Sequence, residues 1–371
     1  QYFLVLHSVI ARTLRKCSAF SRSSLDVVSE ACLCRSLTGA VHFLEILGNL
    51  TKGLALKYES PFMTFRRAIL HVFIFTVSFI GISLWSAWLV THPSRVESGL
   101  TPKNFNMPFE EITLTTKDGV SIAGWFIPAP FLQKPALVIL HGYPTEKGDL
   151  LFRASKLHAA FNILLIDLRY FGKSGGSATT LGTNERLDLE AAIDFLESRG
   201  FSASGKKKIG VFGFSLGGAT AISQAAKDLR ISAVVSYAAF ADLALLGKDM
   251  YSHLPVIREA LVPLMRFWAK LFWDVDSAYS PQIAAQYVKI PILIVHSQAD
   301  EQIPFHHALL LRNALRNNDR AEFYFQETGL HGELPADFDE LVKDFFENSL
   351  TDTAEFSETT SSDQWNDDGK D

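Results

Sequence analysis

Four short apolar runs follow one another along the middle of the chain: Ala136–Leu140, Asn162–Ile166, Lys208–Phe212 and Ser232–Tyr237. Each ends in a loop rich in Gly, Ser or Asp. Runs of this length without polar alternation predict strands buried on both faces. Two more come later, at Pro291–His296 and Ala321–Gln326, and helical patterns fill the intervals, most clearly Thr183–Ser198 and Leu216–Lys227. Buried strands alternating with helices predict an α/β fold, a mostly parallel central sheet covered by helices on both faces. Ahead of it, Glu111–Thr116 and Val120–Ile127 alternate around Lys117-Asp118-Gly119, which reads as a hairpin. In sheets of this kind chemistry gathers at the carboxyl ends of the strands.

A different pattern precedes these elements. Ala68–Val90 is 23 residues without Asp, Glu, Lys or Arg, about 35 Å as a helix and long enough to cross a bilayer. Arg66 and Arg67 stand at one end and Trp85 and Trp88 near the other, as at a membrane interface. This predicts one transmembrane helix. Lys52, Lys57, Arg66 and Arg67 before the span, against Arg95 and Lys103 after it, put the N-terminus in the cytoplasm and the main domain on the non-cytoplasmic side. Leu37–Leu50 is apolar but short and broken by His42 and Glu45, so it predicts an amphipathic helix and not a second span. Met63-Thr-Phe-Arg-Arg followed by the apolar run has the form of a signal-anchor, and Met63 is the expected native start.

Composition agrees with a folded, membrane-associated protein. Of 371 residues 48% are hydrophobic and 20% charged, which excludes a disordered chain. The net charge of −5 offers no basic excess for nucleic acid. Residues 1–67 hold nine basic and four acidic residues, and 351–371 one lysine and seven acidic residues. The first reads as a basic segment, the last as a solvated tail. Cys17, Cys32 and Cys34 are the only cysteines, so residues 91–350 have no disulfide framework and no Cys metal site.

Gly213-Phe214-Ser215-Leu216-Gly217-Gly218 follows an apolar strand and opens a helix. This is G-x-S-x-G in the strand–turn–helix setting that lifts a serine hydroxyl above a sheet. Such a serine needs a base, and the base needs an orienting acid. Asp300 follows the Pro291–His296 strand and His331 follows the last strand, which makes Ser215, Asp300 and His331 the candidate catalytic set, in that chain order at spacings of 85 and 31 residues. For the oxyanion, Leu216 N–H comes directly after the serine, and Tyr143 N–H lies in His141-Gly142-Tyr143-Pro144 after the first buried strand. Asp242 is the rival acid, and His306 and His307 are rival bases expected at the surface of a helix start. Gly172-Lys173-Ser174 has Asp167 where a phosphate loop has its first glycine. Asp167 and Arg169 are expected to brace their loop. No metal and no cofactor is called for.

HGYP at 141–144, DLRYFGKSGG at 167–176, GFSLGG at 213–218, HSQADEQIP at 296–304 and GLHGE at 329–333 together resemble the α/β-hydrolases. They are most similar to the single-anchor membrane group with serine aminopeptidase-like, lysophospholipase-like and acyl-thioesterase-like members. The resemblance covers about residues 110 to 348, and it implies the same triad and oxyanion roles for Ser215, Asp300, His331, Tyr143 and Leu216. Leu330 departs from it, because the family often has a smaller or polar residue before the histidine.

The stretch at about 240–288 is placed where such folds carry a lid. Within it Ile257, Leu261, Leu264, Met265, Trp268 and Phe272 share one helical face, Arg258, Glu259, Arg266 and Lys270 the other, and Pro263 predicts a bend. An apolar lid over an acyl pocket and a plain core-covering helix both fit this pattern. The expectation is a membrane-anchored serine hydrolase that cleaves carboxylic esters or thioesters of acyl or lipid-like substrates. A serine aminopeptidase-like amidase and a catalytically silent binding scaffold are the alternatives.

Overall fold

The computed structural model describes residues 61–131, 133–205, 207–276 and 280–350. The expected helix at Leu37–Leu50, the cysteines and the acidic tail lie outside the described residues. Those residues form two compact units, 61–93 with 256–272, and 94–255 with 273–350.

The larger unit is built on one eight-stranded sheet. Its strands are β1 Glu110–Thr115, β2 Ser121–Ile127, β3 Ala136–Leu140, β4 Asn162–Ile166, β5 Ile209–Phe214, β6 Ile231–Tyr237, β7 Ile292–Ser297 and β8 Ala321–Gln326, in the order β1-β2-β4-β3-β5-β6-β7-β8. The β1–β2 hairpin and the β2–β4 pair are antiparallel, and every other pair is parallel. The hairpin closes through Gly119, whose positive φ of 82° suits a residue without a side chain. β3 and β4 are buried at every position, as continuous apolar runs require of interior parallel strands.

The pleat divides the core in two. Val138, Leu140, Leu164 and Ile166 face one layer, in which α3 (Glu185–Ser198) contributes Leu189, Ile193 and Leu196, and α4 (Leu216–Ala225) contributes Ala219 and Ile222. Leu137, Ile139, Ile163 and Leu165 face the other layer, with Leu151, Ala154 and Leu157 of α2 (Leu151–Leu157). α9 (Phe338–Leu350) completes that second layer with Phe338, Val342 and Phe346. Between these elements come α5 (Leu243–Met250), α6 (Arg258–Trp273), α7 (Pro281–Ala285) and α8 (His306–Ala314). The chain runs from β3 outward to β4 and then crosses back to β5. A crevice therefore opens between the carboxyl ends of β3 and β5.

The loop after β4 rests on buried charge. Asp167 is fully buried and accepts from Lys147 Nζ at 2.5 Å and from the Lys147 and Lys173 backbone N–H groups at 2.9 Å. Lys147, only 2% exposed, also lies 4.4 Å from the Trp125 ring centroid. Arg169 grips the buried Asp188 with Nε and Nη2 at 2.9 and 2.8 Å and reaches Asp118 at 2.7 Å. Asp167 and Arg169 therefore tie together the segments beside the crevice.

The smaller unit joins α1 (Pro61–Thr91) to α6. From Thr64 to Thr91 α1 is long and apolar enough to cross a membrane. Phe65, Val72, Phe73 and Phe75 are each more than half exposed, whereas Ser83, Ser86, Ala87 and Thr91 near the far end are buried. The sequence pattern of α6 is only partly realised. Leu261 is buried, but Ile257 and Phe272, assigned to the covered face, are 41% and 56% exposed.

Replacing Lys147 by Met removes one member of a buried ion pair and strands Asp167 without its counter-charge. The expected loss is on the order of 3 kcal/mol of unfolding free energy, measured by chemical denaturation of the detergent-solubilised chain. An unchanged midpoint and slope would contradict the role given to the pair.

Candidate active site

Ser215 sits between the last residue of β5 and the first of α4, with φ 52° and ψ −112°. That backbone is costly for a residue with a Cβ. The neighbours enforce it. A Cβ on Gly213 would overlap the Gly217 backbone, and one on Gly142 would come within 2.8 Å of the Phe214 ring and 3.2 Å of Ser215 Cβ. Ser215 N–H donates to the Tyr237 carbonyl at 2.8 Å, which fixes the turn to β6.

The three residues singled out from the sequence meet here. His331 Nε2 lies 3.2 Å from Ser215 Oγ, and His331 Nδ1 lies 2.8 Å from Asp300 Oδ2. A nitrogen facing a carboxylate carries the proton, so Nδ1–H donates to Asp300 and Nε2 is left to accept from the serine hydroxyl. The second oxygen of Asp300 accepts the N–H groups of Gln302 and Ile303 at 2.9 and 2.8 Å. Asp300 is 6% exposed and Ser215 also 6%.

Leu216 is the first residue of α4, so its N–H has no acceptor within the helix. The Tyr143 loop stands beside it, because β3 and β5 are adjacent. His141 shapes that loop. It is fully buried, its Nδ1–H donates to the Gly142 carbonyl at 2.7 Å, and its Nε2 accepts from Leu168 N–H at 2.9 Å. Burial holds its pKa below the ordinary histidine value, so it remains neutral and able to do both.

Several residues that position the histidine were not assigned from the sequence. The Phe214 ring packs 5.1 Å from the His331 ring and 5.4 Å from Tyr237. The Tyr237 hydroxyl donates to the Glu333 carbonyl at 2.8 Å, and Ser297 Oγ donates to the Gly329 carbonyl at 2.5 Å. Glu301 accepts from His331 N–H at 3.0 Å, and Glu333 from Leu330 N–H at 2.8 Å. His296, buried beneath Asp300, donates from Nε2 to the Ile303 carbonyl at 2.8 Å. Glu301, His296 and Glu333 all fall inside the HSQADEQIP and GLHGE stretches. Their signal was their adjacency to Asp300 and His331.

The rivals are placed elsewhere. Asp242 caps α5 by accepting Leu245 N–H at 2.8 Å. His306 and His307 both reach Asp249 Oδ2, at 2.8 and 3.1 Å. His307 is fully buried and not at the surface as its position at a helix start suggested. Ala241 N–H donates to its Nδ1 at 3.0 Å, so the proton sits on Nε2 and points at Asp249. A metal on that nitrogen would leave the ring without its proton, so the cluster reads as a hydrogen-bonded brace between α5 and α8.

Burial, reinforced by the neighbouring His306 charge, pushes His307 down to about 4. Below the ordinary histidine value of about 6.5 the unfolded chain binds a proton that the native one refuses. Stability is therefore complete above pH 6.5 and falls as the pH drops toward 4, by about 2 kcal/mol at pH 5 from this group. His307→Gln keeps the N–H toward Asp249 but does not titrate. It should flatten the loss of melting temperature between pH 7 and pH 5, and an unaltered slope would contradict the assignment.

Comparison with known proteins places this geometry in context. The model of the prolyl oligopeptidase family matches residues 174–332, from the loop after β4 to just past His331. Protein bem46 of Schizosaccharomyces pombe is 30% identical over 210 residues, covering 55% of this chain and 64% of the relative. The α/β-hydrolase domain-containing protein WAV2 of Arabidopsis thaliana is 25% identical over 247 residues, covering 62% and 75%. The chain thus spans a little under two thirds of the length of the first of these relatives. Among solved structures, an esterase of Pyrococcus furiosus superposes with a TM-score of 0.58 at 23% identity, over 70% of this chain and 98% of that one. An acylaminoacyl peptidase of Pyrococcus horikoshii superposes at 0.51 and 19%, over 66% and 42%. At these identities the superpositions show a common fold. The sheet order, the serine turn between β5 and α4 and the similarity running through the Ser215, Asp300 and His331 segments converge on one conclusion: the chain belongs to the α/β-hydrolase superfamily.

Proposed function

We propose that the protein is a membrane-anchored serine hydrolase that cleaves carboxylic ester or thioester bonds through an acyl-enzyme. The observation that carries this reading is the Ser215–His331–Asp300 relay, at 3.2 and 2.8 Å, mounted on a strained turn at a helix N-terminus.

In the first half of the reaction, Ser215 Oγ attacks the carbonyl carbon as its proton passes to His331 Nε2. Asp300 holds the ring and stabilises the imidazolium that forms. The carbonyl oxygen takes on negative charge and is met by the N–H groups of Leu216 and Tyr143, each donor of this kind contributing on the order of 3 kcal/mol in related chemistry. The start of α4 adds the positive end of its dipole. The imidazolium then protonates the departing oxygen or sulfur. A water molecule repeats the sequence on the acyl-enzyme and returns the serine. The scheme uses no cofactor and no metal.

The ester or thioester preference rests on the anchor. A span at Ala68–Val90 would hold the enzyme where long acyl chains partition, and acyl or lipid-like molecules are then its natural substrates. The basic residues before the span favour a non-cytoplasmic catalytic domain.

The test is turnover of a matched series of p-nitrophenyl esters, acyl thioesters and aminoacyl anilides of increasing chain length by the detergent-solubilised chain. Esters or thioesters should be preferred, with kcat/KM rising with acyl length. Ser215→Ala should lower kcat by about a thousandfold or more with KM little altered. Preference for the anilides would favour the amidase reading. A folded wild-type chain that turns over none of the series would favour the silent scaffold.

A further inference from the structure

The smaller unit holds an apolar surface that the catalytic reading does not use. Trp268 of α6 donates from Nε1 to Ser83 Oγ at 2.9 Å, and that hydroxyl donates onward to the Ile80 carbonyl at 2.7 Å. The bond ties α6 to α1. It lands on a stripe of small residues, since Ser83, Ala87 and Thr91 recur every fourth position and are all buried. Small residues at that spacing let a neighbouring element approach closely in an apolar phase, where a hydroxyl also needs its partner.

The opposite side of α6 is uncovered. Ala260, Pro263, Phe267 and Leu271 are spaced to share one helical face, and all four are exposed. Phe267 and Leu271 are 54% and 58% exposed. Arg266 and Lys270 lie along one edge of this stripe. The helix thus has an inner apolar face formed by Leu261, Met265 and Trp268, an outer apolar face, and a narrow charged border.

Depth is the second consideration. Ser83 stands seven residues inside the end of the apolar stretch at Val90, about 10 Å along the helix axis. Helices that lie in a membrane interface bury their apolar side by roughly 5–10 Å. An indole held at Ser83 puts α6 at that depth.

We propose that α6 is an interfacial helix: its Ala260–Pro263–Phe267–Leu271 face beds in the same leaflet that α1 leaves, with Arg266 and Lys270 at the level of the phospholipid headgroups. The proposal rests on the reading that α1 crosses the bilayer. Its occupant is the phospholipid leaflet, because the surface is continuous with an exposed apolar helix and bordered by cationic side chains that suit anionic headgroups.

The experiment uses the full chain with Cys17, Cys32 and Cys34 changed to Ser, reconstituted in vesicles of phosphatidylcholine and phosphatidylserine. Single cysteines are introduced by Phe267→Cys, Leu271→Cys, Phe73→Cys in α1 and Leu229→Cys on the larger unit. Each carries an environment-sensitive fluorophore and is read with and without nitroxide-bearing lipid. The labels at 267 and 271 should lose roughly half or more of their emission, as expected for a probe 5–10 Å into the leaflet, as should the label at 73. The label at 229 should be unaffected. Quenching at 73 with none at 267 and 271 would overturn the proposal and leave the anchor standing. No quenching at 73 would overturn the anchor and the proposal together. A blue-shifted but unquenched label at 267 would mean that protein covers the face, a second copy of the chain included, and would also overturn it.

Discussion

The backbone at Ser215 is the constraint on which the rest of the site depends. A residue with a side chain is held at φ 52°, a conformation costing on the order of 1–3 kcal/mol. It persists because β5 and α4 are both locked into the core and the turn between them has no room to relax. Gly213 and Gly142 remove the two Cβ atoms that would block it. The strain raises the hydroxyl above the sheet and points the first N–H of α4 at the same space. The hydroxyl and the N–H that the proposed mechanism uses as nucleophile and anion donor are thus placed by one turn.

A second device keeps the remaining groups in register. His331, the proposed base, lies in a loop after β8, the sheet's edge strand, whose residues are only partly buried. The side chains of Tyr237, Ser297 and Gln326 donate to that loop's carbonyls, and the carboxylates of Glu301 and Glu333 accept from its backbone N–H groups. On the other side, the buried pair Lys147–Asp167 and the Arg169–Asp188 fork steady the segments flanking the crevice. Buried charge of this sort adds little net stability over apolar packing. Its value here is that Asp167 fixes three donors from two separate loops at once.

Much of the larger unit was legible in the chain, because interior parallel strands are apolar throughout and their loops carry the glycines. The strands sit within two residues of their expected ends, and the structure brings together Ser215, Asp300 and His331, which order and strand context single out as candidates. The supporting shell was not legible, since a tyrosine hydroxyl reaching the Glu333 carbonyl 96 residues away has no local signature. His307 shows the same limit. A histidine opening a helix reads as solvated, and its burial depends on Ala241 and Asp249, which arrive from elsewhere. For α6 the period was readable, but the sequence marks one apolar face where the structure has two. Which face is covered was decided by the pairing with Ser83.

The account stands or falls on whether Ser215 is an activated nucleophile. The most direct measurement is treatment of the intact, folded chain with a fluorophosphonate, followed by peptide mapping by mass spectrometry. The predicted result is a single adduct on the peptide containing Ser215, formed much more slowly when His331 is replaced by Ala. A folded chain that forms no adduct, or an adduct at Ser215 whose rate is indifferent to His331, would contradict it.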